Sequence, residues 1–206
     1  MPRRSVVLFA AACAVMALAI GLVTLFVVGS RQQANPAVVA GTGQPLIGGD
    51  FTLTRHDGQV VDQSILDGKW SLVFFGFTHC PDYCPTTLGV LDAVQQQLGE
   101  DARDMQILFI SIDPERDTHQ MLGDYLSSEG FPDGVMGLTG TPEQVAQAAK
   151  VYRAYFQKVG EGEGYTMNHT LTVYLMGPDG QFRSAVAHDL GPKRTAELIR
   201  NEMAKG

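Results

Sequence analysis

"WSLVFFGFTHCPDYCPTTL", residues 70–88, runs from an uninterrupted apolar stretch into two cysteines four positions apart, each followed directly by proline. A continuous apolar run of this kind is the pattern of a strand buried on both faces. Beyond it, Leu88, Leu91, Val94 and Leu98 recur at helical spacing, which predicts a helix over 86–98. Cys80 then falls where the strand ends, and Cys84 in the first turn of the helix. Pro85 is tolerated there, because first-turn nitrogens have no intrahelical partner to lose. Residues four apart share one helical face, so both sulfurs can point at one spot. The helix N-terminus favours a thiolate.

Such a pair can be a redox disulfide, a soft-metal site or half of a structural cross-link. The last is the weakest reading, since a link across four residues constrains very little chain. The other two both need thiolates at an exposed turn, and the cysteines alone do not separate them. His79, beside Cys80, can assist when protonated. The discriminating residue is His169, directly before the apolar strand at 171–175. A thioredoxin-type redox enzyme carries a cis-proline just ahead of that strand, facing the cysteines. Here no proline precedes it, and an imidazole stands in that neighbourhood instead. Taken alone, a histidine at a strand start is a polar edge residue; opposite a thiolate pair it reads as a ligand. The glycine-rich, acidic segment 160–164 before it is expected to be a mobile loop.

Working outward, "FTLTRHDGQVVD" (51–62) has the form of a hairpin turning at Asp57-Gly58. "MQILFISI" (105–112) predicts a second buried strand, followed by a helix capped by Asp117 or Thr118. "TPEQVAQAAKVYRAYF" (141–156) predicts a helix opened by a capping box, with Thr141 as cap, Pro142 first and Gln144 reaching back. "TLTVYLM" (170–176) and "QFRSAVA" (181–187) read as strands joined by the Gly177-Pro178-Asp179-Gly180 turn. Pro192 to Ala204 closes the chain as a helix. After the hairpin the order is β-α-β-α-α-β-β-α. That is an α/β chain, with a thioredoxin-like mixed sheet, flanking helices and an N-terminal β-hairpin.

An uncharged, apolar stretch from Val6 to Val28 follows Arg3 and Arg4. It reaches the roughly 20 residues a membrane span needs and exceeds the ~7–15 of a secretory signal core. Residues 1–30 are therefore expected to be a cytoplasmic start and one transmembrane helix. It reads as uncleaved, although Ala17-Leu18-Ala19 has the small-x-small form of a cleavage site. The arginines place the remainder on the periplasmic side of the cytoplasmic membrane. Cys13 follows Ala10-Ala11-Ala12, which lack the branched aliphatic of a lipidation site, and reads as a membrane-buried small residue. Residues 31–47, with Pro36, Gly41, Gly43 and Pro45, read as a flexible linker, and 48–206 as one domain. Setting aside Arg3 and Arg4 leaves 13 basic residues against 22 acidic ones, a net −9, which argues against nucleic acid as a partner. Two cysteines beyond the apolar stretch exclude a disulfide-stapled scaffold.

"FGFTHCPDYCP", "ISIDPERDT", "GLTGTPEQV" and "NHTLTVYLMGPDG", in this order and at these spacings, resemble the Sco/SenC family, over Gly48 to the C-terminal helix. The resemblance implies a membrane-anchored, thioredoxin-like copper chaperone without turnover of its own. It implies delivery to the binuclear copper-A centre of cytochrome c oxidase, with ligands falling on Cys80, Cys84 and His169. The partner is then the copper-A domain of oxidase subunit II, with other periplasmic copper carriers as further partners. The alternative is a thiol–disulfide oxidoreductase that uses Cys80 and Cys84 as a redox-active pair to reduce the copper-A cysteines, and one protein can do both in sequence. A thiol peroxidase would need a separate resolving cysteine, which is not seen. Two thiolates and an imidazole suit Cu(I), which is soft and accepts low coordination numbers; Cu(II) can use the same set with another donor. Zinc also accepts two cysteines and a histidine, so the metal's identity rests on the resemblance.

Other residues keep two readings. Met167 shares a face with His169, so its thioether either assists Cu(I) or packs. Asp113 and the segment 114–118 either support the site or form only a turn and helix cap. Tyr83 shields the site or faces a partner. Asp82 is a charge favoured by the helix N-terminus. His56, His119 and His188 read as surface.

Overall fold

The hairpin expected at 51–62 is present: β1 (Thr52–Arg55) and β2 (Val60–Asp62) pair antiparallel, with Leu53 opposite Val61. Gly58 makes the turn at φ +87°, a conformation glycine adopts without a Cβ clash. The computed structural model describes residues 47–205, the side chain of Glu163 excepted. The expected transmembrane helix and almost all of the expected linker lie outside the described residues. Among those described, no helix is long and apolar enough to cross a membrane.

The apolar run forms β3 (Trp70–Gly76), buried at every position. α1 (Tyr83–Leu98) starts three residues earlier than its apolar spacing indicates and takes in Cys84 and Pro85 as first-turn residues. β4 (Met105–Ser111) runs parallel to β3, with Gly76 opposite Ser111. α2 (His119–Leu126) is capped by Thr118, whose hydroxyl accepts from the Met121 N–H. Asp117 is therefore not the cap; it is wholly buried.

Three strands were not expected. β5 (Met136–Thr139) pairs parallel with β4 and antiparallel with β1, so the hairpin joins the main sheet. α3 (Pro142–Tyr152) opens on the expected capping box but stops four residues short of Phe156. Arg153 turns left-handed at φ +54° and its N–H caps the last carbonyls. Phe156 instead starts β6 (Phe156–Val159), which pairs antiparallel with β7 (Thr166–His169) as a separate two-stranded sheet. The glycine-rich segment is thus the turn of this hairpin and contains a 3-10 turn at Gly162–Gly164. β8 (Val173–Met176) begins three residues later than read, and pairs with β9 (Phe182–Val186) before α4 (Pro192–Met203).

The seven-stranded sheet has the order β2-β1-β5-β4-β3-β8-β9. Its mixed pairing with flanking helices is the thioredoxin-like arrangement expected. Successive strand residues face opposite sides. On one side Phe75 meets the Tyr152 ring of α3 at 5.4 Å. On the other, Phe74 meets Phe109 edge-on at 5.7 Å. Burying each such side chain contributes about 1.5–3 kcal/mol. Because β3 and β4 are parallel and β8 is antiparallel to β3, the ends of β3 and β4 and the start of β8 share one edge. The cysteine loop, the turn after β4 and the residues leaving β7 converge there, at the carboxyl ends of parallel strands where α/β sheets bind ligands.

Candidate metal centre

Cys80 is reached from β3 by a tight turn in which its N–H donates to the Phe77 carbonyl at 3.2 Å. The Cys84 N–H donates in turn to Cys80 Sγ at 3.4 Å. Both cysteines are free thiols. Cys84 lies against Gly76, where an added Cβ would stand 2.8 Å from its Sγ and 2.8 Å from the Phe109 ring. A glycine inside a buried strand marks such a close approach, and that signal was available in the sequence.

His169 ends β7, paired with Phe156. Its Nδ1 lies 2.9 Å from the Thr170 carbonyl, which can only accept, so Nδ1 carries the proton and Nε2 offers its lone pair. Nε2 is 3.8 Å from Cys84 Sγ. The rings of Phe74 and Phe77 hold the imidazole edge-on at 6.3 and 5.8 Å. One ligand atom from each of Cys80, Cys84 and His169 lies within 4.8 Å of the others. Bonds of about 2.0–2.3 Å from one metal to a nitrogen and a sulfur, opened to a trigonal angle, span about 3.8 Å. The donor set fits a single ion.

Cys80 and His169 line an open cleft of about 420 Å³, together with Tyr83, Tyr155, Met167 and Leu171, while Cys84 is fully buried behind them. Met167 is buried beside the site, and Tyr83 is 49% exposed at its rim. The Tyr83 ring packs edge-on against His188 at 5.7 Å, so His188 is not a bare surface residue. Nor is His56, whose Nδ1 accepts from the Gly137 N–H at 3.0 Å and ties β1 to β5. His119 is exposed, as read. Asp82 precedes α1 without a side-chain cap bond to it. His79 is exposed, with Nδ1 3.0 Å from the Thr78 hydroxyl. The residues that sequence reading missed are Thr78, which bonds to the buried Asp117 carboxylate, Gly76 and Phe77.

The two sulfurs titrate as a pair. The hydrogen bond from the Cys84 thiol holds Cys80 far below the ordinary thiol range, against the opposing effect of burial, with the N–H groups of Cys84 and Asp82 adding to it. The same bond, burial and the Cys80 charge push Cys84 up. At neutral pH the pair is a Cys80 thiolate beside a Cys84 thiol. Iodoacetamide at pH 6 is therefore expected to label Cys80 and spare Cys84, which is fully buried. Peptide mass mapping reads this directly, and equal labelling would overturn the assignment.

A family profile described as SCO1/SenC matches residues 39–204. The human "Protein SCO1 homolog, mitochondrial" is 44% identical over 144 residues, 68% of this chain and 47% of that protein. The chain thus spans about half the length of the curated relatives it matches. The crystal structure of Arabidopsis thaliana ScoI with copper bound is 37% identical, with a TM-score of 0.73, covering 78% of this chain and 99% of that one. BsSco, described as a member of the Sco family of cytochrome c oxidase assembly proteins with a disulfide switch, is 25% identical at a TM-score of 0.60, covering 75% and 90%. With a profile matching most of its length and a site of two cysteines and a histidine at the sheet edge, the chain belongs to the SCO1/SenC family.

Proposed function

We propose that this protein is a membrane-anchored copper chaperone that holds one copper ion through Cys80, Cys84 and His169. Its acceptor is the copper-A centre of cytochrome c oxidase subunit II. The apolar stretch 6–28 is its anchor, residues 31–47 its tether, and the domain from 48 onward works on the periplasmic side, where other copper carriers can load it. The observation that carries this reading is the convergence of two sulfurs and a ring nitrogen of His169 within 4.8 Å of one another, beside a cleft lined by Cys80 and His169. Soft sulfur donors and a coordination number of three suit Cu(I) and leave room for an incoming ligand, whereas structural zinc sites are closed and four-coordinate. Family membership and a copper-bound relative support the same reading.

A second activity is favoured by the asymmetry of the cysteines. A Cys80 thiolate beside a Cys84 thiol is the arrangement for attack on a partner disulfide. Cys80 would form the mixed disulfide, and Cys84, losing its proton, would displace the partner thiolate. Two electrons pass to the partner and the pair ends as a disulfide. Such an exchange can prepare the acceptor's cysteines before copper arrives.

His169→Ala separates the two activities. It removes a ligand and leaves both thiols. Copper affinity is expected to fall by more than about 100-fold, beyond the 10–100-fold typical of groups that only orient ligands. Reduction of a small model disulfide should persist. Wild-type copper affinity in the variant would defeat the three-ligand site. Loss of exchange with copper retained would make the oxidoreductase the main function.

A further inference from the structure

The turn between β4 and α2, Asp113 to Asp117, touches both arms of the metal site without supplying a ligand. On the cysteine arm, the buried Asp117 carboxylate accepts from the Thr78 N–H at 3.0 Å, the Thr78 hydroxyl at 2.6 Å and the Ser111 hydroxyl at 2.7 Å. Thr78 stands two residues before Cys80. On the histidine arm, the Tyr165 hydroxyl donates to Asp113 Oδ1 at 2.6 Å. Arg116 donates from Nε to Asp113 Oδ2 at 2.6 Å and from Nη1 to the Tyr165 carbonyl at 3.0 Å. The Tyr165 ring lies between two cations, with the Arg116 guanidinium 3.6 Å and the Lys158 ammonium 3.9 Å from its centroid. Lys158 is paired with Glu115 of the same turn at 2.6 Å.

Tyr165 immediately precedes β7, and His169 is the last residue of that strand. A two-stranded sheet separate from the main one is at best marginally stable by itself. This hairpin is tied at its open end by Tyr155 and Thr170, which exchange bonds of 2.9 Å, and near its turn by the Tyr165 cluster. Asp113 and Asp117 are 2% and 0% exposed. Carboxylates so buried are costly unless fully paired, and these two direct their pairing toward opposite arms of one site.

We propose that the Asp113–Asp117 turn is a bracket that sets the separation of the cysteine loop and the histidine hairpin, with Tyr165 as the positioning residue for His169. The inference rests on the copper reading and adds to it the element that fixes the site's geometry. The arms are separable. Asp117 acts on the loop before Cys80, whereas Tyr165 acts only on the strand that carries the imidazole.

The test is Tyr165→Phe in the full chain, which keeps the ring between its cations and removes the hydroxyl bonded to Asp113. Cu(I) affinity, measured by competition with a Cu(I) chelator, is expected to fall about 10-fold, the lower end for groups that orient ligands. In a His169→Ala background the same change should cost nothing further, because it acts through the imidazole. Equal losses in both backgrounds, or none in either, would overturn the bracket. Amide hydrogen exchange over residues 166–169 without added copper gives a second readout. Faster exchange in Tyr165→Phe is expected, and unchanged exchange would also overturn it. A wild-type chain that binds no Cu(I) would defeat the copper function instead, and the amide exchange then decides the bracket alone.

Discussion

Oxidation of Cys80 and Cys84 to a disulfide is expected to empty the site: the reduced chain loads one copper and the oxidised chain essentially none. A metal ligand must be a thiolate, and a disulfide sulfur offers no such charge. Oxidation removes two electrons from the pair and one proton from Cys84, since Cys80 is already ionised. Of three donors, only the His169 imidazole remains. Thiolate sites hold metals with apparent free energies of up to ~10–16 kcal/mol, so losing both sulfurs should cost more than about 10³-fold in affinity. The measurement is copper content by elemental analysis after diamide treatment and desalting, followed by re-reduction with dithiothreitol, which should restore one copper per chain. Equal copper in both states would rule out the two cysteines as ligands.

The same gate orders the two proposed activities. A chain that has just reduced a partner disulfide is itself oxidised and cannot carry copper until it is reduced again. Delivery and thiol reduction by one molecule are therefore successive: reduction leaves Cys80 and Cys84 as a disulfide that cannot hold copper, whereas delivery returns the reduced pair.

The fold was legible where the chain alternates cleanly between long signals. β3 and β4 are continuous apolar runs, and α1 and α3 carry helical spacing or a capping box. β5–β7 are four residues each, too short for a period to emerge, and depend on partners distant in sequence. Thr54, for example, pairs with Thr139. The end of α3 was misplaced because the apolar pattern continues through Tyr155 and Phe156, whereas Arg153 breaks the helix by its backbone conformation. At the site, residue types and order pointed to Cys80, Cys84 and His169, which the structure brings within 4.8 Å of one another. Its geometry was not legible, since the contacts of Asp117 with Thr78 and of Tyr165 with Asp113 join residues 39 and 52 positions apart. Buried carboxylates in a turn look the same in sequence as solvent-exposed ones.

Gly76→Ala is expected to damage both stability and copper binding without altering a ligand. The new methyl would meet Cys84 Sγ at 2.8 Å and two atoms of the Phe109 ring at 2.8 and 2.9 Å. None of these neighbours can retreat easily: Cys84 is held in the first turn of α1, and both side chains are fully buried. Overpacking of this kind costs ~1–3 kcal/mol, a large share of the ~5–15 kcal/mol that holds a typical domain together. The strain falls on the sulfur that sits 3.8 Å from His169 Nε2, so relief by moving Cys84 opens the ligand triangle. Copper affinity should then fall by at least about 10-fold, as for other displaced ligands. Gly89→Ala in α1 is the matched control, because its nearest neighbouring atom is 3.9 Å away and the backbone there is helical. Alanine at that position should stabilise by about 0.4–1 kcal/mol and leave copper untouched. Urea unfolding and copper titration of both variants give the answer. A Gly76→Ala chain with wild-type stability and copper affinity would mean that α1 shifts freely against β3, and that the Cys84 sulfur is not fixed by this contact.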